Sequence, residues 1–165
     1  MLTDELRRLS AFTALIAAQA LVLNRIQLFH CATPLLYVWF AIAIPRGYPK
    51  WASLLWCFAL GLGVDVFANT PGVAAAAMTL AAALQPYLLE MFLPREATDN
   101  ISSSAAALGF GKFATMAAII VLLFCITFFT IEAFSFSHWQ QWALTVAASS
   151  LLTLALILTL ESVRR

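Results

Sequence analysis

WASLLWCFALGLGVDVFANTPGVAAAAMTLAAALQPYLLEMFL, residues 51–93, holds two apolar runs hinged at a short polar turn, and one acid, Asp65, interrupts the first run just before the hinge. Each run, 51–68 and 73–93, is close to the ~20 residues that an α-helix needs to cross a hydrocarbon core. Asn69-Thr70-Pro71-Gly72 between them has the chemistry of a tight turn. The stretch therefore reads as a helical hairpin that crosses a bilayer and returns.

The rest of the chain repeats this pattern. Of 165 residues, 63% are apolar and only 10% charged, and the mean hydropathy is +0.92. A soluble fold of this size could not hide so much apolar surface, whereas lipid needs no hiding. The expected fold is all-α, a single polytopic membrane bundle over 1–165 with about six spans at 9–23, 31–44, 51–68, 73–93, 105–130 and 142–160. The second is the weakest, because Pro34 and Pro45 bracket it and leave it short, which keeps a tilted passage, a thinned region or a re-entrant segment open beside a straight span. The first has no small-x-small cleavage site ahead of a polar domain, so it is expected to be retained rather than removed as a signal peptide.

Basic residues orient the spans, because Lys and Arg near helix ends stay on the cytoplasmic side. With the N-terminus inside, Arg7, Arg8, Arg46, Lys50, Arg95, Lys112, Arg164 and Arg165 fall inside and only Arg25 outside. That asymmetry requires an even number of crossings, with both ends in the cytoplasm. Stretch 94–104 is then a cytoplasmic loop, and 132–141 an aromatic, weakly acidic outer loop. Trp51, Trp139 and Trp142 stand at span ends, where amphipathic rings favour the headgroup zone. The net charge of +1 gives no reason to expect nucleic acid as a partner. Cys31, Cys57 and Cys125 fit no metal, haem or CxxC spacing and read as small packing residues.

Asp65 is the position with the most to say, since a carboxylate in an apolar span is costly and faces protein or water. It lies about one turn, ~5–6 Å, before the outer helix end, with Gly61 and Asn69 on its face. Two readings follow: an ion or proton site, or a structural tie, either to Arg25 or to backbone N–H groups opening the next helix. A relay would need a second buried acid at similar depth, and Glu90 is at the other end, so the tie is favoured. Asn69 or Thr70 is expected to cap the following helix, with Pro71 at an early position where its missing N–H costs nothing. Gly61, Gly63, Gly109, Gly111 and the alanines of 74–77 and 81–83 mark close helix contacts, within the chain or with another protein's helix. His30 and His138 read as exposed loop residues. No Ser/His/Asp grouping, phosphate loop or ligand spacing occurs, so no catalytic residue, metal or cofactor is expected.

Gly61-Leu62-Gly63-Val64-Asp65-Val66-Phe67-Ala68-Asn69-Thr70-Pro71-Gly72 resembles the GLxxDxFxxTPG signature of the rod shape-determining MreD family. Asn24-Arg25-Ile26, Thr33-Pro34-Leu35-Leu36-Tyr37 and the alanines after Gly72 add to the likeness, while Gln85-Pro86 stands where many members have Arg-Pro. The last two spans carry only generic hydrophobicity. The resemblance implies a non-enzymatic scaffold of the bacterial cell-elongation complex in the inner membrane. It would bind MreC and work with MreB, RodA and a class B penicillin-binding protein, with homo-oligomers also open. Its expected structural and interaction residues are Asp65, Arg25, Asn24, Gly61, Asn69, Thr70, Pro71 and Gly72. Members also look like the substrate-binding S-components of energy-coupling-factor transporters, which supplies the alternative function, vitamin binding in an outward-facing pocket.

Overall fold

A computed structural model describes residues 2–21, 34–45, 47–93, 108–133 and 139–164. These form six helices: α1 (Leu2–Leu21), α2 (Val38–Ile42), α3 (Lys50–Ala68), α4 (Val73–Phe92), α5 (Phe110–Ala133) and α6 (Trp139–Arg164), with no strand among the described residues. Four of them, α3 to α6, are long and apolar enough to cross a membrane, which marks the chain as membrane-embedded. α1 is as long as α4 but carries Asp4, Glu5, Arg7 and Arg8 in its first turns.

The helices overrun the apolar spans. α1 begins at Leu2 rather than 9, α5 runs on through Glu132 to Ala133, and α6 includes Trp139 to Gln141, which hydropathy assigned to a loop. Helical backbone bonding continues into polar turns that a hydropathy threshold discards. Of the expected span 105–130, residues 105–107 lie outside the described set, and α5 starts at Phe110 after Gly109 with φ 85°.

The second expected span is not a continuous helix. Between Pro34 and Pro45 only Val38–Ile42 is α-helical, about 7.5 Å of rise against a ~30 Å core; residues 31–33 lie outside the described set. Proline removes helix hydrogen bonds at both ends, so the flanking backbone needs other partners, and in lipid none would exist. Side chains from three helices supply them. Gln19 Nε2 of α1 donates to the Pro34 carbonyl at 3.0 Å, the Leu35 N–H donates to Thr153 Oγ1 of α6 at 3.1 Å, and Gln85 Nε2 of α4 donates to the Ile44 carbonyl at 3.0 Å. Tyr37, Val38, Ala41 and Ile42 are fully enclosed. The interrupted segment thus sits inside protein, the setting in which membrane proteins tolerate irregular backbone.

Its direction follows from its two ends. Gln19 meets Pro34, while the Arg8 guanidinium lies 4.0 Å from the Tyr48 ring centroid. The segment therefore returns alongside α1 over the eleven residue steps from Gln19 to Arg8, about 16 Å of helix. Gln85→Leu should remove the α4 tie and lower stability by about 1–2 kcal/mol, read as a lower unfolding temperature of the purified protein in detergent.

α3 packs on α1 and α4, α4 on α5, and α5 on α6, with α2 set among α3, α4 and α5. α5 buries Phe113, Met116, Ala117, Ile120, Val121, Phe124 and Phe128, the i, i+3/i+4 stripe of a helix with one protein-facing side. Tyr37 stacks edge-on against Phe124 at 5.5 Å. Trp51, Leu55, Phe58, Leu62 and Val66 of α3 point outward and are exposed, at the same helical period, as befits a face solvated by lipid.

Candidate functional site: the clasp between α3 and α4

The twelve residues from Gly61 to Gly72 build one device. α3 ends on Asn69, whose φ of 58° and ψ of 35° put it in the left-handed region, where asparagine is one of the few tolerated side chains. The Asp65 carbonyl takes both the Asn69 N–H and, at 3.3 Å, the Thr70 N–H, closing the last turn. Thr70 to Val73 then form a type II turn: Pro71 occupies its second position, Gly72 its third with φ 86° and ψ −7°, and the Val73 N–H reaches the Thr70 carbonyl at 3.3 Å.

This reversal aims the first amides of α4 back at the last turn of α3. Asp65 Oδ1 accepts from the Ala74 N–H at 2.9 Å and from Thr70 Oγ1 at 3.0 Å, and Oδ2 accepts from the Ala75 N–H at 3.0 Å. Asp65 is 3% exposed. A carboxylate near the negative end of its own helix is disfavoured, but the start of α4 offers two N–H donors and the positive end of a dipole. Charge-assisted bonds of this kind contribute about 1.5–3 kcal/mol each, enough to hold the charge in place.

Gly61, one turn before Asp65, sets the spacing. A Cβ there would stand 2.5 Å from Ala75 Cα and 2.7 Å from both the Ala75 nitrogen and the Ala74 oxygen. Only a glycine lets the backbone of α4 come close enough for its amides to reach the carboxylate. Ala74, Ala75, Ala77, Met78, Ala81 and Ala82 continue the same close face down α4.

Of the two ties open to Asp65, the structure contains the one to the α4 amides; Asn24 and Arg25 lie outside the described residues. The expected caps need correcting. Asn69 closes α3 instead of opening α4, and Gly72, with no side-chain cap of its own, is the N-cap residue. Thr70 spends its hydroxyl on Asp65, so the acceptor for the α4 amides comes from nine and ten residues upstream. Pro71 precedes the helix rather than starting it. A methyl group added at Gly109 or Gly111 would meet nothing within 4 Å, so neither is a contact point among the described residues, while Gly63 faces Ile16 of α1. Cys57 and Cys125 are buried free thiols.

Sequence reasoning passed over Gln19 and Thr153, because an amide or hydroxyl in an apolar helix gives no sign of which distant carbonyl or N–H it serves. Among the described residues no cluster of His, Cys, Asp or Glu has the makings of a metal site. The clasp can therefore hold two helices in register, and every oxygen of its one carboxylate is engaged in doing so. Comparison with known proteins adds no assignment: no family model, curated protein or solved structure matches the chain.

Proposed function

We propose that the chain is a non-enzymatic membrane scaffold that presents the α3–α4 hairpin to a partner's transmembrane helix, as an MreD-type subunit of the bacterial elongation machinery. The observation that carries this reading is the clasp itself. The residues of the GLxxDxFxxTPG-like stretch with distinctive chemistry, Gly61, Asp65, Thr70, Pro71 and Gly72, are engaged in closing one hairpin. Their chemistry is used up in holding a shape, which suits a protein whose work is to be gripped. MreC is the proposed direct partner, with MreB, RodA and a class B penicillin-binding protein in the same inner-membrane assembly.

The proposed path has six passages with both termini in the cytoplasm, the second made by the interrupted segment rather than by a straight helix. Its support is the return of the chain alongside α1 from Pro34, held by Gln19, to Tyr48, held by Arg8, which brings Arg8, Tyr48 and Lys50 to one end. That end also receives Lys112 at the start of α5 and Arg164 at the end of α6 if the four long helices alternate. An S-component-like arrangement of these helices belongs to the same proposal. Vitamin binding gains no support from Asp65, whose two oxygens already accept three hydrogen bonds within the clasp.

Deleting the gene from a rod-shaped host should give rounded cells, and the wild-type gene should restore the rods. Asp65→Ala, expressed to the same level, should not. Rods that persist without the gene would remove the cell-shape role.

A further inference from the structure

At the end of the bundle opposite the clasp, a cavity of about 220 Å³ opens between the start of α3 and the last turns of α4. Lys50 and Glu90 both line it, together with Tyr48, Tyr87 and an apolar wall that includes Ile44 and Leu54. The two opposite charges form no ion pair with each other among the described residues. Lys50 Nζ instead rests 5.0 Å from the Tyr87 ring centroid.

Each charge is also on the wrong end of its helix. Lys50 is the first residue of α3, which has no side-chain cap and no acid in its first turn, so a cation sits on the positive end of the dipole. Glu90 is in the last turn of α4, which contains no basic residue, so an anion sits on the negative end. An occupant with a negative group beside Lys50 and a positive group beside Glu90 would relieve both. The Tyr48 hydroxyl accepts the Trp56 indole N–H at 3.1 Å, which leaves its own proton to donate to an anionic oxygen.

Depth selects the occupant. α3 and α4 are both long enough to cross a membrane, so their ends lie at the headgroup layer, and exposed Trp51 and Tyr87 beside the cavity suit that layer. The volume is below the roughly 300–1,000 Å³ of ordinary ligand pockets, but a headgroup is smaller than an ordinary ligand and its acyl chains stay in the bilayer. We propose that this cavity binds the headgroup of a zwitterionic aminophospholipid, with its phosphate on Lys50 and the Tyr48 hydroxyl and its primary ammonium on Glu90. The Tyr87 face is taken by Lys50, which disfavours a quaternary ammonium seeking an aromatic ring. The assignment rests on the membrane placement of α3 and α4 and not on the scaffold reading.

The test is native mass spectrometry of the full-length protein in detergent, titrated separately with short-chain phosphatidylethanolamine, phosphatidylglycerol and phosphatidylcholine, and with free phosphoethanolamine. Phosphatidylethanolamine should be retained about three- to fivefold better than phosphatidylglycerol, the size expected of one exposed charge pair. Glu90→Gln should erase that preference, and Lys50→Gln should weaken retention of both lipids. Both side chains are exposed and each opposes its helix dipole, so neither substitution should lower the melting temperature of the lipid-free protein. Equal or better retention of phosphatidylglycerol or phosphatidylcholine by the wild type, or an unchanged preference in Glu90→Gln, overturns the proposal. Free phosphoethanolamine binding as tightly as the lipid overturns the membrane lipid as its source.

Discussion

Gly61→Leu is expected to prevent the α3–α4 hairpin from closing. Even the first atom of the new side chain would fall 2.5 Å from Ala75 Cα, and the atoms it meets are backbone, which cannot rotate away. Gly61→Ala gains about 1 kcal/mol of helix propensity, yet overlap with backbone costs about 1–3 kcal/mol or more once α4 is forced outward. The shift also lengthens both bonds from the α4 amides to Asp65, so the overlap term wins. A loss of at least about 2 kcal/mol for alanine, and failure to recover folded protein for leucine, are the expected results in detergent unfolding experiments. Gly63→Ala is the control. Its Cβ would meet only Ile16, with Cδ1 at 2.8 Å, the end of a side chain that can turn aside, so its melting temperature should stay near that of the wild type.

Asp65→Ala should be of comparable severity for a different reason. It leaves the buried N–H groups of Ala74 and Ala75 with no acceptor and frees the Thr70 hydroxyl. Losing the bonds and stranding two buried donors costs about 3–5 kcal/mol in total. Asp65→Asn should recover little, because its amide keeps one oxygen but turns an NH₂ toward a donor. Thr70→Val removes one hydroxyl bond and should cost about 1 kcal/mol. The ranking Asp65→Ala ≥ Asp65→Asn > Thr70→Val, measured as unfolding free energies, checks the division of labour within the clasp. If Asp65→Asn were as stable as the wild type, the carboxylate would not be the acceptor that α4 depends on.

How much of this could be read from the sequence depended on how far apart the partners are. The hairpin was legible because length, apolarity and the turn residues Asn69 to Gly72 lie together. So was the pairing of Asp65 with either Arg25 or the next helix, since a buried acid must find donors. The sequence offers the α4 amides to Asn69 or Thr70 as well as to Asp65, because capping preferences look at the residue beside the helix. Here the turn folds back and a side chain nine residues earlier reaches the amide first. The interrupted segment was the least legible part. Its ties span 15, 41 and 118 residues, and nothing local to Pro34 or Ile44 names Gln19, Thr153 or Gln85 as the side chain that will serve it. The cavity was equally silent, since Lys50 and Glu90 come together only when α3 and α4 lie side by side.

The scaffold reading meets its most direct test in affinity capture. Full-length tagged protein, co-expressed with MreC and purified in mild detergent, should bring MreC down in fixed stoichiometry, and no vitamin or ATPase module should accompany it. Wild-type protein that elutes folded and without MreC, or that carries a stoichiometric vitamin together with an ATPase module, would contradict the scaffold role.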